Sequence, residues 1–250
     1  MTHTIRVGIG GWTYEPWRGV FYPEKHPQKR ELEYASRALS TIEINGTYYS
    51  TFKPASWEAW RDATPEGFVF AVKASRYCTN RRELAGAGES VERFMAQGLT
   101  LLGDRLGPIC WQFAATKKFD AGDFGAFLAL LPREKDGLAI RHAVEVRNAT
   151  FATPEFYDLA ARAGAAIVYA AGGEYPEIDE PTADFTYARL TVTGEAPAAG
   201  LSDGELADLV VKAGAWARRG DVFAYFISGA KERNPAAAMT LQAAIAGADA

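Results

Sequence analysis

The chain has 250 residues, 48% hydrophobic and 23% charged, with a formal net charge of -4 at pH 7. That balance supports a sizeable globular core and excludes a disordered or fibrous chain, and the acidic excess disfavours extended binding to a nucleic-acid backbone. Cys78 and Cys110 form no CxxC, the opening MTHTIRVGIGGW lacks the regions of a signal peptide, and no apolar run approaches the ~18 residues of a membrane span, so a cytoplasmic protein with no membrane association is expected.

Ile5–Gly10 is the first of eight short β-rich runs; the others are Thr41–Asn45, Phe68–Lys73, Ile109–Phe113, His142–Arg147, Ala166–Tyr169, Phe185–Leu190 and Val222–Ile227. They recur roughly every 30 residues, the length of a strand followed by a helix. Gly8, Gly10 and Gly11 near the start do not form a dinucleotide-binding GxGxxG, because Thr13 stands where its last glycine would be. After Ser90, helical spacing puts Val91, Phe94, Met95, Gly98, Leu101 and Leu102 on one face. Thr153 and Pro154 read as the start of a helix that buries Phe156, Leu159, Ala160 and Ala163 and stops at Gly164. The stretch between Tyr169 and Phe185 has two prolines and little period, which suits a loop or short turn. Ser202 with Glu205 forms a capping box before Leu206, Leu209, Val210, Ala213 and Trp216, with Gly220 closing that helix, and Asn234 with Pro235 opens the last one.

No linker, repeat or long like-charge run divides the chain, so residues 1–250 read as a single domain. Eight β units with mostly helical crossovers suit a closed barrel or an open doubly wound sheet. The count of eight within this length favours a (β/α)8 TIM-type barrel of the α/β class.

In such a barrel alternate residues of each strand point inward, and polar groups at the C-terminal strand ends face the site. Period two then places Glu43 and Asn45 on one inward face, Val69, Ala71 and Lys73 on another, and Glu145 with Arg147 on a third, while Gln112, Tyr169 and Arg189 end their strands in the same way. Two carboxylates against the three cations Lys73, Arg147 and Arg189 leave one positive charge for a small anion or a polarised carbonyl. The bland alternative is a closed salt-bridge network that only braces the barrel. Trp12, Tyr14, Trp17 and Tyr22, with Tyr48 and Tyr49, supply either a stacking surface for a ring or hydrophobic packing at the barrel mouth. His3, His26 and His142 have no metal-ligand spacing, so no cofactor or metal is expected, apart from the alternative of a Mg²⁺ held between Glu43 and Glu145. The cysteines, without a clear histidine partner, read as packing residues.

With these residues in view, the chain resembles the YecE-like family, domain of unknown function 72. The likeness runs from about Arg6 to Ala246 and is carried by GIGGWTYEPWRGVFYP, TIEINGTYYS, TPEGFVFAVKAS, LGPICWQF, HAVEVRN, DFTYARL and DVFAYFISGAKERNPAAA. The resemblance implies a barrel with a strand-end cluster at Trp12, Tyr14, Glu43, Asn45, Lys73, Gln112, Glu145, Arg147 and Arg189, and it implies no settled activity. This chain departs from many members in having Phe226, Ile227 and Ser228 where a Phe-Asp-Asn run ends the eighth strand, and Thr191 with Val192 where a His-Gly follows the seventh-strand arginine.

The leading expectation is an enzyme that does acid/base chemistry on a small polar, anionic or sugar-like molecule. Glu43, Lys73, Glu145 and Arg147 are its candidate catalytic residues, and Trp12, Tyr14, Asn45, Tyr48, Gln112, Tyr169 and Arg189 its substrate-binding set. The alternatives are a non-catalytic small-ligand-binding barrel and the processing of a nucleotide or nucleic-acid end, in which Arg81, Arg82, Lys117 and Lys118 would meet phosphates.

Overall fold

The computed structural model describes residues 3–248. The strands in chain order are β1 Ile5–Gly10, β2 Thr41–Ile44, β3 Val69–Lys73, β4 Leu106–Gln112, β5 His142–Glu145, β6 in two pieces (Ala166–Ile167 and Tyr169–Ala171), β7 Phe185–Leu190 and β8 Asp221–Phe226. Each lies parallel to its neighbours, and β1 pairs with both β2 and β8. The ring closes through β6. Its first piece pairs with β5 (Ala143 opposite Ala166), its second with β7 (Ala188 opposite Tyr169), and the Val168 N–H between them donates to Val144 O at 3.0 Å. The result is a nearly closed barrel of the TIM type, with the helices α1 Glu31–Ala38, α2 Pro54–Ala63, α3 Arg76–Thr79, α4 Gly88–Met95, α5 Ala121–Ala129, α6 Pro154–Ala163, α7 Asp203–Ala217 and α8 Asn234–Ala248 between or after the strands.

The crossover from β6 to β7 has no helix among the described residues, as its prolines imply. A side chain does the stitching instead: Thr182 Oγ1 donates to Ala165 O at 2.7 Å and accepts from the Ile167 N–H at 3.1 Å. Nearby, Asp179 accepts from Trp216 Nε1 of α7 at 2.8 Å.

Helix ends follow local chemistry. Thr153 caps α6 by accepting from the Phe156 N–H, and Gly164 ends it at φ +67. Ser202 and Glu205 form the expected capping box on α7. Gly220 does not close that helix, which ends at Ala217; a Cβ at Gly220 would lie 1.9 Å from Asp184 O, so glycine is needed there for close approach to the chain entering β7. The helix after Ser90 is shorter than its apolar spacing suggests. It stops at Met95, Gly98 turns the chain at φ +102, and Leu101 and Leu102 lie in a following 3-10 segment. A hairpin of Glu134–Lys135 with Leu138–Ala139 interrupts the approach to β5, turned by Asp136 (φ +52) and Gly137 (φ +78). Asp-Gly is the sequence signal for that mirror-image turn.

Two apolar layers result from the period of the strands. Outward residues such as Val7, Ile9, Ile42, Ile44, Phe70 and Val72 pack against the helices. Inward residues, among them Val69, Ala71, Cys110, Ala143, Tyr187 and Tyr225, fill the barrel. Gly8 makes the ring tight on one side, since a Cβ there would lie 1.8 Å from Thr41 O. At the N-terminal end of the strands Arg141 Nη1 pairs with Asp221 Oδ2 at 3.1 Å, and the guanidinium groups of Arg6 and Arg141 lie over the Phe223 ring at 5.6 and 4.8 Å. No helix among the described residues is long and apolar enough to cross a membrane.

Candidate functional site

The C-terminal strand ends enclose a cavity of about 540 Å³. Of the residues proposed from sequence, Asn45, Lys73, Gln112, Glu145, Arg147 and Arg189 border it. Glu43 lies just beneath, fully buried. These come from β2, β3, β4, β5 and β7, so the alternation of short strands is what brings residues far apart in the chain to one place.

Arg189 joins the two carboxylates. Its Nη2 donates to Glu43 Oε1 at 3.1 Å and its Nη1 to Glu145 Oε2. The other carboxylate positions are taken as well: Tyr187 OH donates to Glu43 Oε2 at 2.5 Å, Gln112 Nε2 to Glu145 Oε2 at 2.7 Å, and Arg147 Nε to Glu145 Oε1 at 2.8 Å. Burial alone would push the Glu145 carboxyl up, but Arg189, Arg147, the Gln112 amide and Lys73 outweigh it and hold the group at about 2. Arg189 is itself driven well above its ordinary range by those carboxylates, although burial opposes this.

Lys73 is treated differently. It is 8% exposed, and among the described residues its Nζ makes no hydrogen bond and has no carboxylate within 4.0 Å. The ammonium sits 4.4 Å from the centre of the Tyr48 ring. Burial, and then the charge of Arg189, lower its pKa, against the pull of Glu43. A lysine in this state loses its proton more readily than one in water.

The structure puts four proposed ligand contacts elsewhere than on the cavity wall. Trp12 packs edge-on against Trp60 and tilted against Phe70, between β1 and α2. Tyr14 packs on Trp17 and Lys231, and Tyr48 meets the site through Lys73 and through Tyr49, against which it packs edge-on. Tyr169 faces α7, where Lys212 Nζ lies 4.1 Å over its ring and its hydroxyl donates to Glu177. The inward residues of β6 are Ala166, Val168 and Ala170, one position out of step with the sequence reading. Trp17 and Tyr22 are buried packing residues.

Tyr49, of the aromatic group read from the sequence, borders the cavity, as do Tyr175, Thr191, Ser228, Lys231 and Asn234, which sequence reasoning did not place in the site. Tyr175 stacks under Arg147, with the guanidinium carbon 4.4 Å from the ring centre. Tyr187 was within reach of the sequence, since it shares its inward face with Arg189; the loop residues carry no period that could have singled them out.

Arg81, Arg82, Lys117 and Lys118 gather around a separate cavity of about 550 Å³, where Lys117 is paired with Asp123 at 2.5 Å. No group of three or more His, Cys, Asp or Glu able to hold a metal occurs among the described residues. The carboxylates considered for Mg²⁺ do not suit it, because the Arg189 guanidinium stands between them and takes the oxygens the ion would need. Cys78 and Cys110 are buried and free, and burial pushes both thiols up, that of Cys78 to about 12. His142, also buried, accepts from Trp111 Nε1 at Nδ1 (3.0 Å) and bonds Pro132 O through Nε2 (2.8 Å), so it serves packing.

A family model described as "Protein of unknown function DUF72" matches residues 6–249. A solved DUF72 family protein from Thermotoga maritima MSB8 is 25% identical, with a TM-score of 0.77 over 96% of this chain and 97% of that one. Another from Enterococcus faecalis V583 is 18% identical, with a TM-score of 0.73 over 97% and 96%. D-psicose 3-epimerase from Clostridium cellulolyticum H10, solved with D-tagatose, shares the fold alone, at 14% identity and a TM-score of 0.54 over 100% and 97%. Among curated proteins none matches this sequence.

Proposed function

Since the chain belongs to the DUF72 family, a family of unknown function, we propose from the site itself that this barrel is an enzyme acting on a small polar, anionic or sugar-like substrate, with Lys73 as its acid/base or Schiff-base amine. The carrying observation is that Lys73 borders the cavity, nearly buried and without a carboxylate partner, with its pKa lowered by burial. A neutral amine so placed can take a proton from a carbon next to a carbonyl or attack the carbonyl itself.

The roles of Glu43 and Glu145 follow from their bonds. Both are ion-paired, and Glu145 is held low, so neither is free to act as a base until a ligand displaces Arg189. They are positioning residues that fix Arg189 and Arg147, whose remaining N–H groups are suited to a substrate anion. Asn45 borders the cavity as a neutral hydrogen-bonding group. The epimerase fold neighbour is named with a ketose; its likeness is one of fold, so the sugar-like substrate class rests on the polar lining here. Nucleotide-end processing draws support only from the second basic cavity, where Lys117 is already answered by Asp123.

The test is incubation of the protein with a metabolite extract, followed by mass spectrometry. Wild type should convert a compound that Lys73→Met leaves unchanged, and Glu145→Gln should slow that conversion. Compounds retained unaltered by wild type would replace this reading with that of a non-catalytic binding barrel, and equal turnover by wild type and Lys73→Met would remove Lys73 from the chemistry.

A further inference from the structure

The cavity has a second wall of different make. Thr191 at the end of β7, Ser228 and Lys231 in the loop after β8, and Asn234 at the start of α8 form it, facing the strand-end cluster. Asn234 is 2% exposed and ties the two loops together: it accepts from Thr193 Oγ1 at 2.7 Å and donates from Nδ2 to Ser228 O at 3.1 Å. Ser228 is held at φ +61 and Gly229 at φ +60. A non-glycine residue in that region is uncommon and persists where its surroundings determine it, often at binding sites.

Lys231 is fixed at both ends of its length. Its carbonyl accepts from Trp17 Nε1 at 2.9 Å, and its Nζ stands 4.2 Å from the centre of the Tyr14 ring. This gives Tyr14 and Trp17 a purpose that stacking on a ligand does not. No carboxylate lies within 4.0 Å of the Lys231 ammonium among the described residues.

Charge then selects the ligand. With Lys73 protonated, four cations (Lys73, Arg147, Arg189 and Lys231) border the cavity against Glu145 and the underlying Glu43, which leaves two positive charges unanswered; with Lys73 as the neutral amine one remains. Among the described residues Arg189 Nε is buried without a hydrogen-bond partner, and Lys73, 8% exposed, makes no hydrogen bond or ion pair through its Nζ. A carboxylate would answer one charge; a phosphate group carries close to two at neutral pH. The 15-residue α8 starts at this wall and adds the positive end of its dipole. In barrels generally, the loops after the seventh and eighth strands together with a helix N-terminus are a frequent place for phosphate.

We infer that the Ser228–Lys231 wall holds the phosphate group of a phosphorylated small substrate and presents the rest of that molecule to Lys73. The second half rests on the amine reading above; the first rests on the wall together with the charges of the strand-end cations that face it.

Inorganic phosphate titrated into the full chain by calorimetry tests it, with acetate and oxalate as carboxylate probes. The expected result is saturable phosphate binding that Lys231→Met weakens by roughly tenfold or more, that Lys231→Arg retains, and that Arg82→Ala with Lys118→Ala at the separate basic cavity leaves within about threefold. Phosphate should also slow trace acetylation of Lys231 in the wild-type chain, a readout that does not depend on any variant folding. Absence of saturable binding, tighter binding of oxalate, loss in the Arg82/Lys118 variant in place of Lys231→Met, or no protection of Lys231 would each overturn the inference. Acetylation of Lys73 is followed in the same digests. A Lys73 that reacts at lower pH than the surface lysines in a chain that binds no phosphate sinks the phosphate wall and spares the amine; the converse result sinks the amine and spares the wall.

Discussion

Arg189 bonds both buried carboxylates of the site, so its removal leaves Glu43 without an ion-pair partner among the described residues and Glu145 with Arg147 alone. Breaking one member out of a buried pair is far costlier than the net worth of the pair. Arg189→Met should therefore lower the unfolding free energy at pH 7 by about 3–5 kcal/mol in urea denaturation; a loss below about 1 kcal/mol would mean the carboxylates are solvated or protonated there. The sign of the pH dependence follows from Glu145, whose carboxyl moves from an ordinary 4.5 down to about 2. Its contribution is complete above about 4.5 and is lost as pH falls towards 2. In Arg189→Met that acid limb should shrink, because Glu145 loses the strongest of the groups that hold it low and keeps only Arg147, Gln112 and Lys73. At this scale period two alone found Glu43, Lys73, Glu145, Arg147 and Arg189. It failed at Tyr169, where one step along a short strand exchanges inside for outside, and it had no purchase on Ser228 or Lys231, which lie in a loop.

Among the elements, β6 is the one the sequence described least well. The run Ala166–Tyr169 is legible as a strand, but its division at Val168 depends on the spacing of β5 and β7 around it, which no local pattern encodes. The loop that follows was legible from its prolines, and its role as a clamp was not. Thr182 supplies that clamp with one hydroxyl, buried and bonded on both sides. Thr182→Val keeps the shape and removes the bonds. It should cost about 1–3 kcal/mol, with amide exchange accelerated at Ile167 and little changed in β1 to β4; uniform acceleration across the barrel would show that the clamp has no local effect. The hairpin at Glu134–Ala139 was missed because two-residue strands carry no period, although Asp136-Gly137 was a usable signal.

Over the whole molecule the two ends of the barrel are finished differently. At the N-terminal end of the strands Arg141 and Asp221 are paired, with Arg6 and Arg141 lying over aromatic rings. At the other end Lys73 is buried and, among the described residues, without an ion-pair partner, a cost that packing does not explain. Lys73→Met should accordingly stabilise the protein by about 0.5–2 kcal/mol at pH 7 while abolishing amine chemistry. The folded-state pKa of Lys73 lies below 10.5, so the gain is present at neutral pH and fades as pH rises through that lowered value towards 10.5. Thermal denaturation at pH 7 and pH 10 reads this; a variant less stable than wild type at pH 7 would contradict the desolvation argument. Counting eight β units was enough to reach the barrel, because its architecture is a repeat of one local unit. The divided β6 also bears on how copies of this chain behave together. An open sheet edge is a template onto which another molecule can add a strand. Here the half-strands have two and three residues, and Thr182 occupies the backbone of the first. The barrel can leave its wall incomplete at that point without offering a neighbour a length of edge on which aggregation could begin.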